Sequence, residues 1–192
     1  MDSKIKLIAD SFGLDKVKLD EPISDHVATH LGGLAKLFFV AIHQSEIIRM
    51  MEMIRSLKVP FLIFGSGSKM LISDNGFDGV VLKNRTSRMI VVGVKGRVGR
   101  AGIGVSEAIV EVDSGVTIAK LLEFLQKQNF NQNQISFVTG TVGGNLLQSR
   151  QMQSLVQKIK VLDSDGELLE IDPKLLNLSR HIILSVVFKF RT

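Results

Sequence analysis

The sequence predicts an α+β protein assembled in two parts, and three observations lead there. Helix-period and short apolar strand patterns alternate up to about residue 83, Gly-punctuated strand patterns dominate beyond it, and one Gly-rich loop falls in each part, at 65–69 and 139–145. The third observation is bulk: 192 residues, 45% hydrophobic with a mean hydropathy of +0.24, carry enough apolar surface for a sizeable core. That length suits one domain or two small ones.

Residues 1–20 read as an amphipathic helix or arm, with Ile5, Ile8 and Phe12 at near-helical spacing and Gly13 ending it. Pro22 opens the next segment, in which Leu37 to Ile42 fits a buried strand. Ser45 is the expected N-cap of a helix over 45–58, because Ile47, Met51, Ile54 and Leu57 follow on one face. Pro60 stops that helix, and the wholly apolar Phe61 to Phe64 predicts a strand buried on both faces. After the loop come a strand at Met70 to Ile72, a turn at Asp74-Asn75-Gly76 and a strand at Val80 to Leu82. The second part holds strands at Met89 to Val94 and Ala108 to Val112 around the segment GRVGRAGIGV. Thr117 then caps a helix carrying Ile118, Leu121, Leu122 and Leu125, which ends in the NFNQNQ loop at 129–134. A hairpin at KIKVLDSDGELLEI and a strand from Ile182 to Phe190 complete the pattern.

Composition narrows the chemistry. The absence of Cys removes disulfides, thiolate nucleophiles, Fe-S clusters and Cys-based zinc sites, while His26, His30 and His43 are too loosely spaced to form a zinc set, so no metal is expected. Tyr and Trp are also absent, which excludes any mechanism that needs a phenol or an indole. A net charge of +5 favours an anionic partner. Six Lys and Arg without Asp or Glu lie between Lys83 and Arg100, but no aromatic interleaves them. That stretch reads as a solvated basic hairpin or an anionic-ligand rim, and nucleic acid is disfavoured. The longest apolar run, Leu37 to Ile42, is far short of the roughly 18 residues of a membrane span; no signal peptide is visible, and a cytoplasmic location is expected. Met50, Met51 and Met53 on the first long helix read as core filling.

The two Gly-rich segments are the candidate sites. Gly65-Ser66-Gly67-Ser68-Lys69, with Met70 behind it, leaves a buried strand; its backbone N–H groups, two hydroxyls and an ammonium suit pyrophosphate, and a tight strand-to-strand turn is the competing reading. It is neither a Walker A loop nor a dinucleotide fingerprint, since Met70 stands where a third Gly belongs. Thr139-Gly140-Thr141-Val142-Gly143-Gly144-Asn145 offers a second set of small residues and backbone donors.

In register with these loops, PISDHVATHLGGLA at 22–35, VPFLIFGSGSKMLISDNGFDGVVLKN at 59–84, VEVDSGVTIAKLLEFLQKQ at 110–128, VTGTVGGN at 138–145 and IILSVVFKF at 182–190 resemble the MurB-type UDP-N-acetylenolpyruvoylglucosamine reductases, members of the FAD-binding superfamily that also contains vanillyl-alcohol oxidase-like enzymes. The resemblance covers about residues 22–192. It implies a two-subdomain FAD-binding fold: a helical arm at 1–21, a small α/β subdomain at 22–83 and a β-rich subdomain at 84–192, with the family's third, substrate-binding domain absent. It implies FAD as cofactor, with its pyrophosphate on Gly65 to Met70 and its isoalloxazine and ribityl portion beside Thr139 to Asn145. NAD(P)H and a UDP-sugar are the further partners it implies, in peptidoglycan precursor synthesis.

Several positions depart from the family pattern. Lys69 stands for the usual Asn, Val27-Ala28-Thr29-His30 for Thr-Thr-x-Arg, and Thr139 for Pro; Asn145 to Arg150 replaces an Ala-rich turn. The stretch IDPKLLNLSRH lacks the family's Tyr and keeps only Arg180. No catalytic residue can be assigned. The expectation is an FAD-binding protein, truncated or catalytically impaired, whose site another chain would have to complete; the alternative is a binding or partner module that kept the fold and lost the flavin.

Overall fold

A computed structural model of the chain describes residues 3–99 and 102–191, and its chain contacts divide it into two compact units, Met1–Thr86 and Ser87–Thr192. Met1 and Asp2 of the expected arm, Arg100 of the basic stretch, Ala101 of the Gly-punctuated segment and Thr192 lie outside the described residues.

In the first unit α1 (Ser3–Phe12) ends at Gly13 as expected, but the rest of the arm is not helical: Val17–Pro22 forms β1, antiparallel to β2 (Leu34–Ala41). A strand forms there because a neighbour accepts its ladder and because Val17 turns into the core. The helix α2 (Gln44–Leu57) buries Ile47, Met50, Met51 and Ile54. His43 rather than Ser45 is its N-cap, since the Glu46 carboxylate turns back to accept from the N–H groups of Ile42 (2.8 Å) and His43 (3.1 Å). Lys58, left-handed at φ 51°, closes its other end.

β3 (Phe61–Phe64) and β4 (Phe77–Asn84) follow. The sheet order is β1-β2-β4-β3, with β2, β3 and β4 mutually parallel. β4 is therefore the strand buried on both faces, with Val80, Val81 and Leu82 all inaccessible. β3 is an edge strand and Phe61 is 41% exposed, which corrects the reading of 61–64 as covered on both sides. No strand forms at Met70 to Ile72. That segment belongs to the irregular connection from β3 to β4, where Met70 and Ile72 pack with Ile23, Val27, Phe38 and Val81. The helices α1 and α2 cover one face of the sheet; the irregular segments around 23–27 and 64–77 cover the other.

The second unit is a five-stranded antiparallel sheet. β5 (Met89–Gly99), β6 (Gly102–Asp113), β7 (Val156–Leu162), β8 (Leu168–Ile171) and β9 (Ile182–Arg191) lie in the order β5-β6-β9-β7-β8. α3 (Ile118–Lys127) starts at Thr117, whose hydroxyl accepts from the Lys120 N–H as expected, and buries Ile118, Leu121 and Leu125 against Val110, Val112, Val186 and Phe188. Two α-helices are additional to the sequence reading: the single turn α4 (Val142–Asn145), inside what reads as an open loop, and α5 (Arg150–Leu155), which plugs Met152 into the same core. Among the described residues no helix is long and apolar enough to cross a membrane, and no cluster of three metal-ligating side chains forms.

Candidate functional site

Parallel strands send their carboxyl ends to one edge, and ligands of open sheets gather outside that edge. In the first unit the residues at that edge are Gly65 to Met70 after β3 and Lys83 near the end of β4, where Lys83 pairs in register with both Phe64 and Val40. Among the described residues no acceptor takes the N–H groups of Ser66, Gly67 and Ser68. The Ser66 hydroxyl lies 3.1 Å from that of Ser68. Gly67, at φ +70°, is there for the chain's own packing, because a Cβ would sit 2.9 Å from both His26 O and Val27 Cα. The Ala28 N–H donates to Gly67 O at 3.2 Å, which ties the loop to segment 26–28.

Beneath this junction the Lys83 ammonium donates to His26 O at 3.0 Å and stands 5.9 Å from the centroid of the Phe64 ring. Burial, aided by repulsion from Arg85, lowers its pKa below the ordinary lysine value. His26 stacks on Phe38 with centroids 4.0 Å apart and turns Nε2 to Glu21 Oε1 at 2.8 Å. The Lys18 ammonium, and His26 after it, hold the Glu21 carboxyl below its usual range despite partial desolvation. Lys69 itself is exposed.

The second segment is built differently. Val142 N–H donates to Val116 O (2.8 Å), Gly143 N–H to Ser114 O (2.9 Å), Gly144 N–H to Thr141 Oγ1 (3.3 Å) and Asn145 N–H to Thr141 O (3.0 Å). The buried Asn145 amide donates to Thr139 O and Thr141 O, both at 3.0 Å. A Cβ on Gly143 would meet Ser114 Cβ at 2.9 Å. These glycines and threonines stitch α4 onto the sheet. The expectation that all of Thr139 to Asn145 offers backbone donors outward is therefore corrected for its last four residues, whose N–H groups are spent within the chain. Beyond α4, a groove of about 670 Å³ opens among Leu146, Leu147, Arg150, Val156, Ile159 and Leu176.

On the sheet face opposite α3, Glu111 is buried and accepts from Ser185 Oγ (2.8 Å), from Lys160 Nζ (3.1 and 3.2 Å) and from Arg88 (3.2 Å). Desolvation works against its charge, but these donors outweigh it and lower the carboxyl's pKa. Neither this cluster nor Lys83 is singled out by sequence reasoning. For Lys83 a signal exists, a cation closing the apolar run Val80 to Leu82; for Glu111 none does, since its partners come from three separate segments.

Comparison with known proteins decides the family. The family model described as "FAD binding domain" matches residues 35–172, well over half of the chain. The chain belongs to the FAD-binding domain family. Within it, the chain is 28% identical over 163 residues to UDP-N-acetylenolpyruvoylglucosamine reductase of Caldanaerobacter subterraneus subsp. tengcongensis, covering 80% of this chain and 49% of that one. The chain thus spans about half the length of the curated relatives it matches. Among solved structures it shares its fold with UDP-N-acetylenolpyruvylglucosamine reductase (MurB) from Thermus caldophilus, with TM-score 0.60 and 16% identity over 92% of this chain and 60% of that one. An alkyldihydroxyacetonephosphate synthase superposes with TM-score 0.69 and 18% identity over 100% of this chain and 41% of the other. The expected MurB and vanillyl-alcohol oxidase type of fold is borne out, and FAD is the cofactor of the family.

The residues present fit that cofactor. Its phosphates match the N–H groups of Ser66 to Ser68, for which no acceptor is found among the described residues.

Proposed function

We propose that this protein is a flavoprotein that holds FAD with Gly65, Ser66, Gly67, Ser68, Lys69 and Met70 on the pyrophosphate and Thr139 to Asn145 along the isoalloxazine and ribityl portion. In this reading the two units are the two FAD-binding subdomains. The observation that carries it is the set of three uncommitted N–H groups at the carboxyl edge of the parallel strands, within a chain whose family binds FAD. Bound flavin supplies hydride and electron transfer. The chain's own part is to neutralise the phosphates and fix the cofactor's register.

The substrate class follows the relatives, a UDP-sugar reduced at the expense of NAD(P)H in peptidoglycan precursor synthesis. The groove beside α5 has Arg150 and Lys174 against the single carboxylate of Asp172 in its lining, a balance that favours an anionic substrate. Within these 192 residues no Tyr is available to hold that substrate. The absorption spectrum of the purified protein, followed by FAD titration, tests the binding claim. Flavin bands at near-stoichiometric occupancy are expected. Colourless protein that leaves FAD fluorescence unchanged would overturn it. Oxidation of NADPH with the enolpyruvyl sugar then measures how much of the relatives' activity survives.

One observation favours a second reading, a partner module without flavin: the second segment spends four consecutive N–H groups on its own chain and needs no ligand to be ordered. The same spectrum separates the two.

A further inference from the structure

We infer that Lys83 is the fixed counter-charge for a phosphate group seated on Ser66 to Ser68, an assignment that rests on the FAD-binding reading above and names the residue that selects the phosphorylated form of the flavin. Three observations converge on it. The first is position. Lys83 lies in register with Phe64, the residue immediately before the loop, so its side chain leaves the sheet at the edge where the loop begins. Its ammonium and the Cβ direction of Gly67 both lie about 3 Å from the same atom, His26 O, which places the charge within about 6 Å of the loop's central residue.

The second observation is that the charge is uncompensated. Among the described residues no carboxylate lies within 4.0 Å of Lys83 Nζ, and the nearby charged group that acts on it, Arg85, repels it. A half-buried ammonium held against desolvation and a like charge is an unfavourable arrangement unless an anion completes it. Third, the valence is open. An ammonium has three donors, and His26 O takes one. The remaining two, like the N–H groups of Ser66, Gly67 and Ser68, have no acceptor among the described residues, so both sets of donors are available to one phosphate group. Lys69, the cation that the loop's own sequence suggests, is exposed, where a charge is worth less than a half-buried one.

A brace that merely holds the His26 carbonyl would need a donor and no charge, and this difference makes the assignment testable. The full-length protein carrying Lys83→Gln keeps a donor for His26 O and loses the charge; Lys83→Met loses both; Lys83→Arg keeps the charge. FAD and the phosphate-free flavin riboflavin are each titrated by fluorescence at low and at moderate salt, with the thermal midpoint of each apoprotein recorded alongside. Lys83→Gln and Lys83→Met are both expected to weaken FAD roughly tenfold or more, the size of a lost hydrogen bond to a charged group, while riboflavin affinity stays at the wild-type value. The salt dependence of FAD binding should flatten in both and persist in Lys83→Arg.

The assignment is overturned if Lys83→Gln binds FAD like wild type, or if FAD and riboflavin weaken together, which is the signature of a structural brace. Should the neutral variants fail to fold, inorganic pyrophosphate decides: it must compete with FAD on wild type and on Lys83→Arg, and absence of competition on both sinks the proposal. Wild-type protein that binds no flavin removes the FAD reading itself and this assignment with it. Wild type that binds FAD while Lys83→Gln binds it equally well removes only the role of Lys83.

Discussion

The two Gly-rich segments share a composition and differ in where their hydrogen bonds go. In Ser66 to Ser68 the N–H groups have no acceptor among the described residues, and the loop is held from outside, by Ala28 on Gly67 O and by the approach of Val27. In Val142 to Asn145 every N–H has an acceptor in the chain, and the segment is a capped turn fastened to the sheet through Ser114. Glycine serves close packing in both. The difference teaches that a run of small residues signals chain proximity first, and that ligand recognition has to be read from the donors left over.

The largest expected effect falls on the first segment. Gly67→Ala introduces a Cβ into backbone at a left-handed φ and should cost about 3 kcal/mol, a sum of backbone strain and the displacement of segment 26–28. Chemical denaturation measures the loss, and flavin retention should fall with it; unchanged stability would mean that the loop is not pinned by this contact.

Next comes the frame of the second segment. Glu111→Ala leaves Lys160, Arg88 and Ser185 without their acceptor and should cost about 2 kcal/mol, less than a fully buried pair because the Arg88 side chain is half exposed. Because the Glu111 carboxyl is depressed in the folded state, its contribution is complete above the ordinary value of 4.5 and disappears as pH falls through the lower folded value. The stability gap between wild type and variant, followed by thermal melts across that acid range, should therefore close below about pH 4.5. A gap independent of pH would assign the loss to packing alone.

Thr141→Ala removes the cap of α4 and should cost about 1 kcal/mol, with FAD weakened by no more than that loss of stability, since the Gly144 N–H is structural. A large loss of FAD with little loss of stability would reverse the contrast between the segments. The smallest effect belongs to Lys69→Glu. Like-charge repulsion should weaken FAD by about threefold, because the side chain is exposed and screened. A greater loss than in Lys83→Gln would relocate the counter-charge to the loop itself.

Periodicity made α2 and α3 legible, and alternation with turn residues revealed the hairpin of β7 and β8. The failures have physical causes. Met70 to Ile72 is a short apolar run like a strand, but no neighbouring ladder accepts it, so Met70 and Ile72 cover the sheet as irregular chain. Val17 to Pro22 carries too little apolar signal to reveal a strand whose partner lies a dozen residues away. The basic stretch from Lys83 to Arg100 reads as one solvated face, yet it crosses from one unit to the other and its first residue is half-buried. The loop positions were visible in sequence; the cation beneath the first loop was not, because its environment depends on His26 and Phe64, which are distant in the chain.

The strand order of the second unit has a consequence for how it is made. β9 lies between β6 and β7, so the hairpin of β5 with β6 and the hairpin of β7 with β8 have no ladder in common until residues 182–191 join them. During synthesis the unit waits, as two separate ribbons with exposed inner edges, for residues 182–191 to emerge, and its folding is governed by contacts as distant as Ser114 with Leu184. The appearance of residues 182–191, rather than that of either ribbon, is then the moment at which the sheet closes.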